Sequence, residues 1–127
     1  MVKILVVEDD EAVRTLAARA LQRAGYIVDL AADGAVGLEA IHAARGRYDL
    51  VISDVRMPSM NGIDMTRKAV AAYPGLRVML MTGYCDQRDT DAELRDIVCD
   101  VMQKPFSLAD IRERVASLMA TETDSAA

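Results

Sequence analysis

Short apolar runs alternate along the chain with segments whose apolar residues recur at helical spacing. The apolar runs cover residues 3–7, 26–31, 48–54, 77–82 and 97–102. Runs of this length that are apolar at nearly every position are typical of strands buried on both faces of a sheet. The helical segments cover residues 11–24, 34–45, 63–73, 86–95 and a last one from residue 107 onward. The pattern therefore predicts five strands and five helices in alternation.

A regular alternation of strands and helices is typical of one architecture. Right-handed crossovers place the helices on both faces of a parallel sheet, so we expect an α/β fold with a doubly wound sheet. The length of 127 residues fits a single domain. We assign this domain to residues 1–120 and expect the polar and small residues 121–127 to form a disordered tail.

Composition and charge exclude several classes of protein. The net charge of −5 argues against a nucleic-acid-binding protein, which would need a basic surface. No apolar run is long enough to cross a bilayer, so no membrane association is expected. The two cysteines are too few for a disulfide framework or a zinc site, which favours a cytoplasmic protein. Cys99 lies inside an apolar run and is expected to be buried.

Charged side chains and one hydroxyl stand where the apolar runs end. Glu8 and Asp9 follow the first run, Asp54 closes the third, Thr82 closes the fourth, and Lys104 follows the fifth. The carboxyl ends of parallel strands share one edge of the sheet, and ligands of open α/β sheets bind there. We therefore expect three carboxylates, one hydroxyl and one amine to converge on a small site.

The chemistry of such a site favours binding of a metal ion and transfer of a phosphoryl group. Clustered carboxylates repel one another unless they bind a cation, and hard oxygen ligands suit Mg²⁺. A carboxylate can also attack phosphorus and form an aspartyl phosphate. The charge that develops on the phosphoryl oxygens then needs a divalent ion, an ammonium group or a hydroxyl nearby.

Each residue taken alone has a simpler interpretation. Asp9 or Asp10 could be the N-cap of the first helix. Asp54 could form a turn before the Pro-containing loop. Lys104 could be a solvated loop residue, and Thr82 could simply end a strand. The set is far more specific than its members, because all of them fall at carboxyl ends in one regular alternation.

Four motifs carry a resemblance to a known family. They are VVEDD (6–10), SDVRMPSMNG (53–62), MTG (81–83) and KPF (104–106). With these motifs the sequence resembles the receiver domain of two-component response regulators over nearly its whole length. The resemblance implies the flavodoxin-like (βα)5 fold with strand order 2-1-3-4-5. It also implies a phosphoacceptor domain that turns over no external substrate apart from its own phosphorylation and slow dephosphorylation.

The resemblance implies roles for individual residues. Asp54 matches the phosphoacceptor, which receives its phosphoryl group from a histidine kinase or a histidine phosphotransferase. Glu8 and Asp9 match the acidic pair that holds Mg²⁺ together with Asp54, and the carbonyl of Arg56 matches the backbone ligand. We expect a monomer or weak dimer, although no patch in the sequence is diagnostic of dimerisation.

The residues of the conformational switch match less completely. Thr82 and Lys104 match the residues that contact the phosphoryl group. Receivers usually carry Tyr or Phe three residues before the lysine, and that ring turns inward on phosphorylation. The position here is Val101, which has no ring and a single stiff torsion. Tyr84 is the nearest aromatic residue in sequence that could replace the ring, or it could lie exposed on its loop.

A narrower resemblance concerns a subfamily. The segments TGYCDQR (82–88) and KPFSLADIR (104–112) resemble the CpdR-type single-domain regulators of alphaproteobacteria. These are implied to prime the ClpXP protease when unphosphorylated. Two other functions remain open at this point: an adaptor that never receives phosphate, and a small aspartyl-phosphate phosphatase. The phosphatase is disfavoured because Arg56 stands where it would need a second carboxylate as general acid.

Overall fold

The computed structural model describes residues 2–57, 60–82, 98–103 and 106–126, with side chains described up to residue 120. The strands are β1 (Lys3–Val7), β2 (Ile27–Ala31), β3 (Leu50–Asp54), β4 (Val78–Thr82) and β5 (Asp100–Gln103). The helices are α1 (Glu11–Arg23), α2 (Gly34–Ala43), α3 (Gly62–Ala72) and α4 (Leu108–Ala126).

The strands form one parallel sheet in the order β2-β1-β3-β4-β5. This is the flavodoxin-like order that the resemblance to receiver domains implies. The central strands β1, β3 and β4 are almost completely buried, which explains why their sequences are apolar runs without alternation. None of the described helices is long and apolar enough to cross a membrane.

Side chains that alternate along the strands divide the core into two layers. In β1, Ile4 and Val6 point into a first core layer with α1 and α4, whereas Leu5 and Val7 point into a second core layer with α2 and α3. All four side chains are fully buried. The two layers fix the sheet from both sides and therefore fix the positions of the strand ends.

Two details differ from the sequence-based expectations. Strand β5 begins at Asp100, later than the apolar run suggests, and Cys99 before it is exposed rather than buried. The last helix extends to Ala126, and the domain boundary at residue 120 stays a prediction. The helix predicted over 86–95 lies outside the described residues.

A buried tyrosine ties β3 to the edge strand β2. The Tyr48 hydroxyl donates a hydrogen bond of 2.7 Å to Asp29 Oδ2. The Lys3 ammonium lies 3.6 Å from the same carboxylate and 5.3 Å from the centre of the Tyr48 ring. Burial of the phenol, aided by the hydrogen bond and the charge of Asp29, raises the pKa of Tyr48 well above its usual value.

We expect Tyr48→Phe to lower the free energy of unfolding by about 1 kcal/mol at neutral pH, because one hydrogen bond is lost. Because the pKa of Tyr48 is higher in the folded state than in the unfolded state, its neutral phenol stabilises the fold below the unfolded-state pKa of about 10. This stabilisation is lost as the pH rises above that value. The stability advantage of the wild type over Tyr48→Phe should therefore shrink in alkaline solution. Urea denaturation at neutral and alkaline pH measures both effects, with Tyr26→Phe as control. An advantage that grew with pH would contradict the expectation.

Candidate functional site

Three carboxylates meet at the carboxyl edge of the sheet, as the sequence predicts. Glu8, Asp9 and Asp54 each place a carboxylate oxygen within 4.8 Å of the others. Glu8 is 1% exposed and Asp54 is 6% exposed, whereas Asp9 is open to solvent. Two of the three charges are thus withdrawn from water, and the third faces the opening.

Strand pairing brings Glu8 and Asp54 to one level. Val7 is in register with Ser53, so Glu8 and Asp54 follow side by side where β1 and β3 end. Asp54 is in register with Met81 in β4, and Thr82 comes one residue later. Thr82 is 2% exposed, so its hydroxyl is placed at the same edge without facing bulk solvent.

The turn after β1 is held by backbone hydrogen bonds. The Glu8 N–H donates to the Ala31 carbonyl over 3.0 Å, which extends the pairing with β2 by one residue. The Asp10 N–H lies 3.3 Å from Glu8 Oε1. Asp10 also caps α1, since its Oδ1 accepts from the Val13 N–H over 3.1 Å. Of the two capping candidates, Asp10 is therefore the N-cap, and Asp9 belongs to the carboxylate cluster.

The segment after Asp54 is packed closely against the start of α3. The Val55 N–H donates to the Met81 carbonyl over 3.1 Å, and the Gly62 N–H donates to the Val55 carbonyl over 2.8 Å. Ser53 Oγ donates to the Asp54 carbonyl over 3.0 Å. A Cβ on Gly62 would collide with that same carbonyl. Gly62 is thus required for the close approach that fixes the backbone of Asp54.

The other residues expected at the site are Arg56, Val101, Lys104 and Tyr84. Arg56 is exposed. Val101 is half-buried, lies opposite Leu80 in the sheet and packs against the second core layer. Lys104 and Tyr84 lie outside the described residues.

One residue near the site escapes the sequence analysis. Arg14 Nη1 donates a hydrogen bond of 2.8 Å to the carbonyl of Glu8. A signal was present in the sequence, because a cation near a helix N-terminus is unfavourable to the helix dipole and so suggests a specific partner. Which backbone carbonyl it contacts depends on the fold of the turn and not on residue spacing.

The cluster suits a hard divalent cation. Its donors are carboxylate oxygens, which Mg²⁺ prefers, and Asp9 leaves one side open for water or a further ligand. Placing three carboxylates this close is unfavourable without positive charge nearby, because like charges in a water-poor site repel strongly. The residues present therefore fit Mg²⁺, and Asp54 would stand next to it.

Comparisons with known proteins identify the family of this chain. Residues 4–116 match the family described as response regulator receiver domain. The chain is 36% identical over 120 residues to the sensor kinase CckA of Brucella abortus, covering 91% of this chain and 12% of that protein. It is 35% identical over 119 residues to the transcriptional regulatory protein CusR of Escherichia coli K12, covering 92% of this chain and 51% of CusR.

The structural comparison gives the same fold. A response regulator receiver domain protein from Clostridium thermocellum superposes with a TM-score of 0.88, with 97% of this chain and 98% of that chain covered at 23% identity. The chain thus spans about half or less of the two curated relatives, at 51% and 12% of their lengths. The activities of those whole proteins do not transfer with the domain.

We expect Gly62→Ala to disturb both the fold and the site. The new methyl group must push the Asp54 carbonyl aside, and overpacking of this kind costs about 1–3 kcal/mol or more. Urea denaturation measures the stability loss, and calorimetric titration measures weaker Mg²⁺ binding. Gly75→Ala is the matched control, because a Cβ there meets nothing within 4 Å. Equal behaviour of the two variants would show that the close contact does not hold Asp54.

Proposed function

Because the chain belongs to the response regulator receiver domain family, we propose that it is a signalling switch whose phosphoacceptor is Asp54. The observation that supports this most directly is the buried carboxylate of Asp54 beside Glu8 and Asp9, with ligand oxygens within 4.8 Å. Receiver domains interact with histidine kinases and histidine phosphotransferases, so the donor is a phosphohistidine. Phosphorylation then alters which proteins the domain binds.

In the proposed reaction a carboxylate oxygen of Asp54 attacks the phosphorus of the phosphohistidine in line with the N–P bond. An O–P bond forms as the N–P bond breaks, and the released imidazole nitrogen keeps the electron pair and takes up a proton. The product is an acyl phosphate on Asp54. Fixing the Asp54 backbone through Val55 and Gly62 holds the nucleophile in place before the donor arrives.

The proposed metal ligands are Glu8, Asp9, Asp54 and the carbonyl of Arg56. Bound Mg²⁺ would supply the positive charge that the phosphoryl oxygens need during transfer. Glu8 and Asp9 place negative charge where the cation is required. The division of roles follows from position, since only Asp54 ends the central strand β3.

Thr82 and Lys104 are proposed to contact the transferred phosphoryl group. The burial of Thr82 at the end of β4 supports this role, because a hydroxyl that is shielded from water binds an anion more strongly. Thr82, Val101 and Tyr84 are the proposed switch residues. We further propose a cytoplasmic protein that acts as a monomer or weak dimer.

Two rival functions lack this support. A phosphatase of the aspartyl-phosphate type would need a general acid two residues after its nucleophile, and that position holds the exposed Arg56. An adaptor that never receives phosphate has no need for a buried carboxylate at the end of β3 next to two others, and burying such a cluster destabilises the fold.

We expect a small-molecule phosphodonor to label the wild type in the presence of Mg²⁺ and to leave Asp54→Asn unlabelled. The amide is a poor nucleophile and removes one ligand of the cation. Intact-protein mass spectrometry and the acid and base lability of the adduct measure the result. Removing Mg²⁺ with a chelator should abolish the labelling of the wild type.

Asp64→Asn is the matched control. Asp64 is an exposed carboxylate in the first turn of α3, so the variant makes the same chemical change outside the site. It should be labelled at the wild-type rate. Acyl phosphate on Asp54→Asn, or sustained turnover of a phosphate ester by the wild type, would overturn the assignment.

A finer proposal concerns the downstream partner. The segments 82–88 and 104–112 resemble CpdR-type regulators, and on that resemblance we propose that the unphosphorylated form acts as an adaptor for the ClpXP protease. Phosphorylation would then end the interaction with the protease instead of starting an interaction.

We expect ClpX to be retained by immobilised Asp54→Ala and by untreated wild type, and to be lost when the wild type carries phosphate. Immobilised Asp64→Ala, treated and untreated, should follow the wild type. Binding of ClpX in every state would favour the phosphate-independent adaptor. Absence of ClpX in every state would remove the protease proposal while leaving the phosphoacceptor role of Asp54 unaffected.

A further inference from the structure

Among the described residues, Arg14 donates a side-chain hydrogen bond to the backbone of the acidic turn. Residues 8–11 are four consecutive acids, Glu-Asp-Asp-Glu, and they connect β1 to the first residue of α1. Arg14 lies one turn into α1 with its side chain half-buried. Its Nη1 donates to the carbonyl oxygen of Glu8 over 2.8 Å, across a separation of six residues.

That hydrogen bond completes the fixation of Glu8. The Glu8 N–H is bound to the Ala31 carbonyl and its Oε1 faces the Asp10 N–H. Arg14 binds the remaining polar group of the Glu8 backbone, the carbonyl. The main-chain N–H of Arg14 also donates to the Asp10 carbonyl over 2.9 Å. One residue thus anchors both ends of the turn that carries two of the three clustered carboxylates.

We propose that Arg14 is a positioning residue of the metal site, acting through the Glu8 carbonyl to keep the carboxylates of Glu8 and Asp9 beside Asp54. The inference rests on the proposed function in one respect, the use of this cluster to hold Mg²⁺. Arg14 need not touch the ion. Its hydrogen bond resists the mutual repulsion of the acids, which would otherwise open the turn.

The positive charge of Arg14 allows its two possible roles to be told apart by the direction in which Mg²⁺ affinity changes. A guanidinium group near a cation site repels the incoming cation. If charge were the only effect of Arg14, its removal would therefore tighten Mg²⁺ binding. If Arg14 instead anchors the turn, its removal would weaken Mg²⁺ binding, because the carboxylates would no longer be held together. The two roles therefore predict opposite changes in the same measurement.

The test is a calorimetric titration of Mg²⁺ into the wild type, Arg14→Ala, Arg14→Lys and Arg19→Ala. We expect Arg14→Ala to weaken Mg²⁺ binding about tenfold, the order found when a group supporting a metal ligand is lost. Arg14→Lys keeps the charge and one donor and should recover part of the loss. Arg19 is exposed on the same helix, so Arg19→Ala removes the same charge from α1 and should bind Mg²⁺ as the wild type does or slightly more tightly.

Two further measurements separate positioning from general damage. Thermal denaturation establishes that each variant is folded, and if Arg14→Ala is not, Arg14→Lys carries the test alone. High salt screens charge effects but not the loss of an anchor, so the weakened binding should persist at high salt. Unchanged or tighter binding by a folded Arg14→Ala, or by Arg14→Lys in its place, would overturn the proposal.

The phosphorylation assay separates the role of Arg14 in Mg²⁺ binding from the role of Asp54 as phosphoacceptor. At saturating Mg²⁺ the labelling of Arg14→Ala by a phosphodonor should approach that of the wild type, because the anchor acts on metal affinity rather than on attack by Asp54. If the wild type bound Mg²⁺ but was never labelled, the phosphoacceptor role would fail and the role of Arg14 in metal binding would stand.

Discussion

The parallel register of β1, β3 and β4 places Glu8 and Asp54 side by side on the carboxyl edge of the sheet, with Thr82 one residue beyond the level of Asp54. Side chains alternate between the two faces of a strand, so a slip of one residue in β3 would turn Asp54 toward the wrong layer. The two apolar core layers oppose such a slip, since it would also turn Val51 and Ile52, which are fully buried in opposite layers, into the wrong layers. The chemistry of the edge is therefore a consequence of packing in the core.

The same closeness that makes the site useful works against the fold. Clustered carboxylates raise the free energy of the metal-free protein, and the turns around them carry the compensating contacts. Gly62 lets α3 approach the Asp54 carbonyl, and Arg14 holds the Glu8 carbonyl. Neither residue belongs to the carboxylate cluster, yet both determine where its members lie. Functional geometry here depends on backbone contacts one step removed from the ligands.

The strand ends could be predicted because burial leaves a strong mark on sequence. A strand covered on both faces is apolar throughout, so the first polar residue after it marks the sheet edge, as with Glu8 and Asp54. The start of β5 could not be predicted, because apolar residues precede its first pairing at Asp100. Arg14 was missed for a related reason. Its partner is a backbone carbonyl, and carbonyls have no signature in a sequence.

Val101 limits how the domain could respond to the proposed phosphorylation of Asp54. It packs against the second core layer opposite Leu80, and a β-branched side chain there has one preferred torsion and no ring to turn. A movement of Thr82 cannot be matched by an aromatic side chain filling or leaving a cavity at this position. Thr82 is, however, paired with Gln103 in the neighbouring strand. If Asp54 is phosphorylated as proposed, we therefore expect the change to spread through the pairing of β4 with β5 more than through a rotamer change at residue 101.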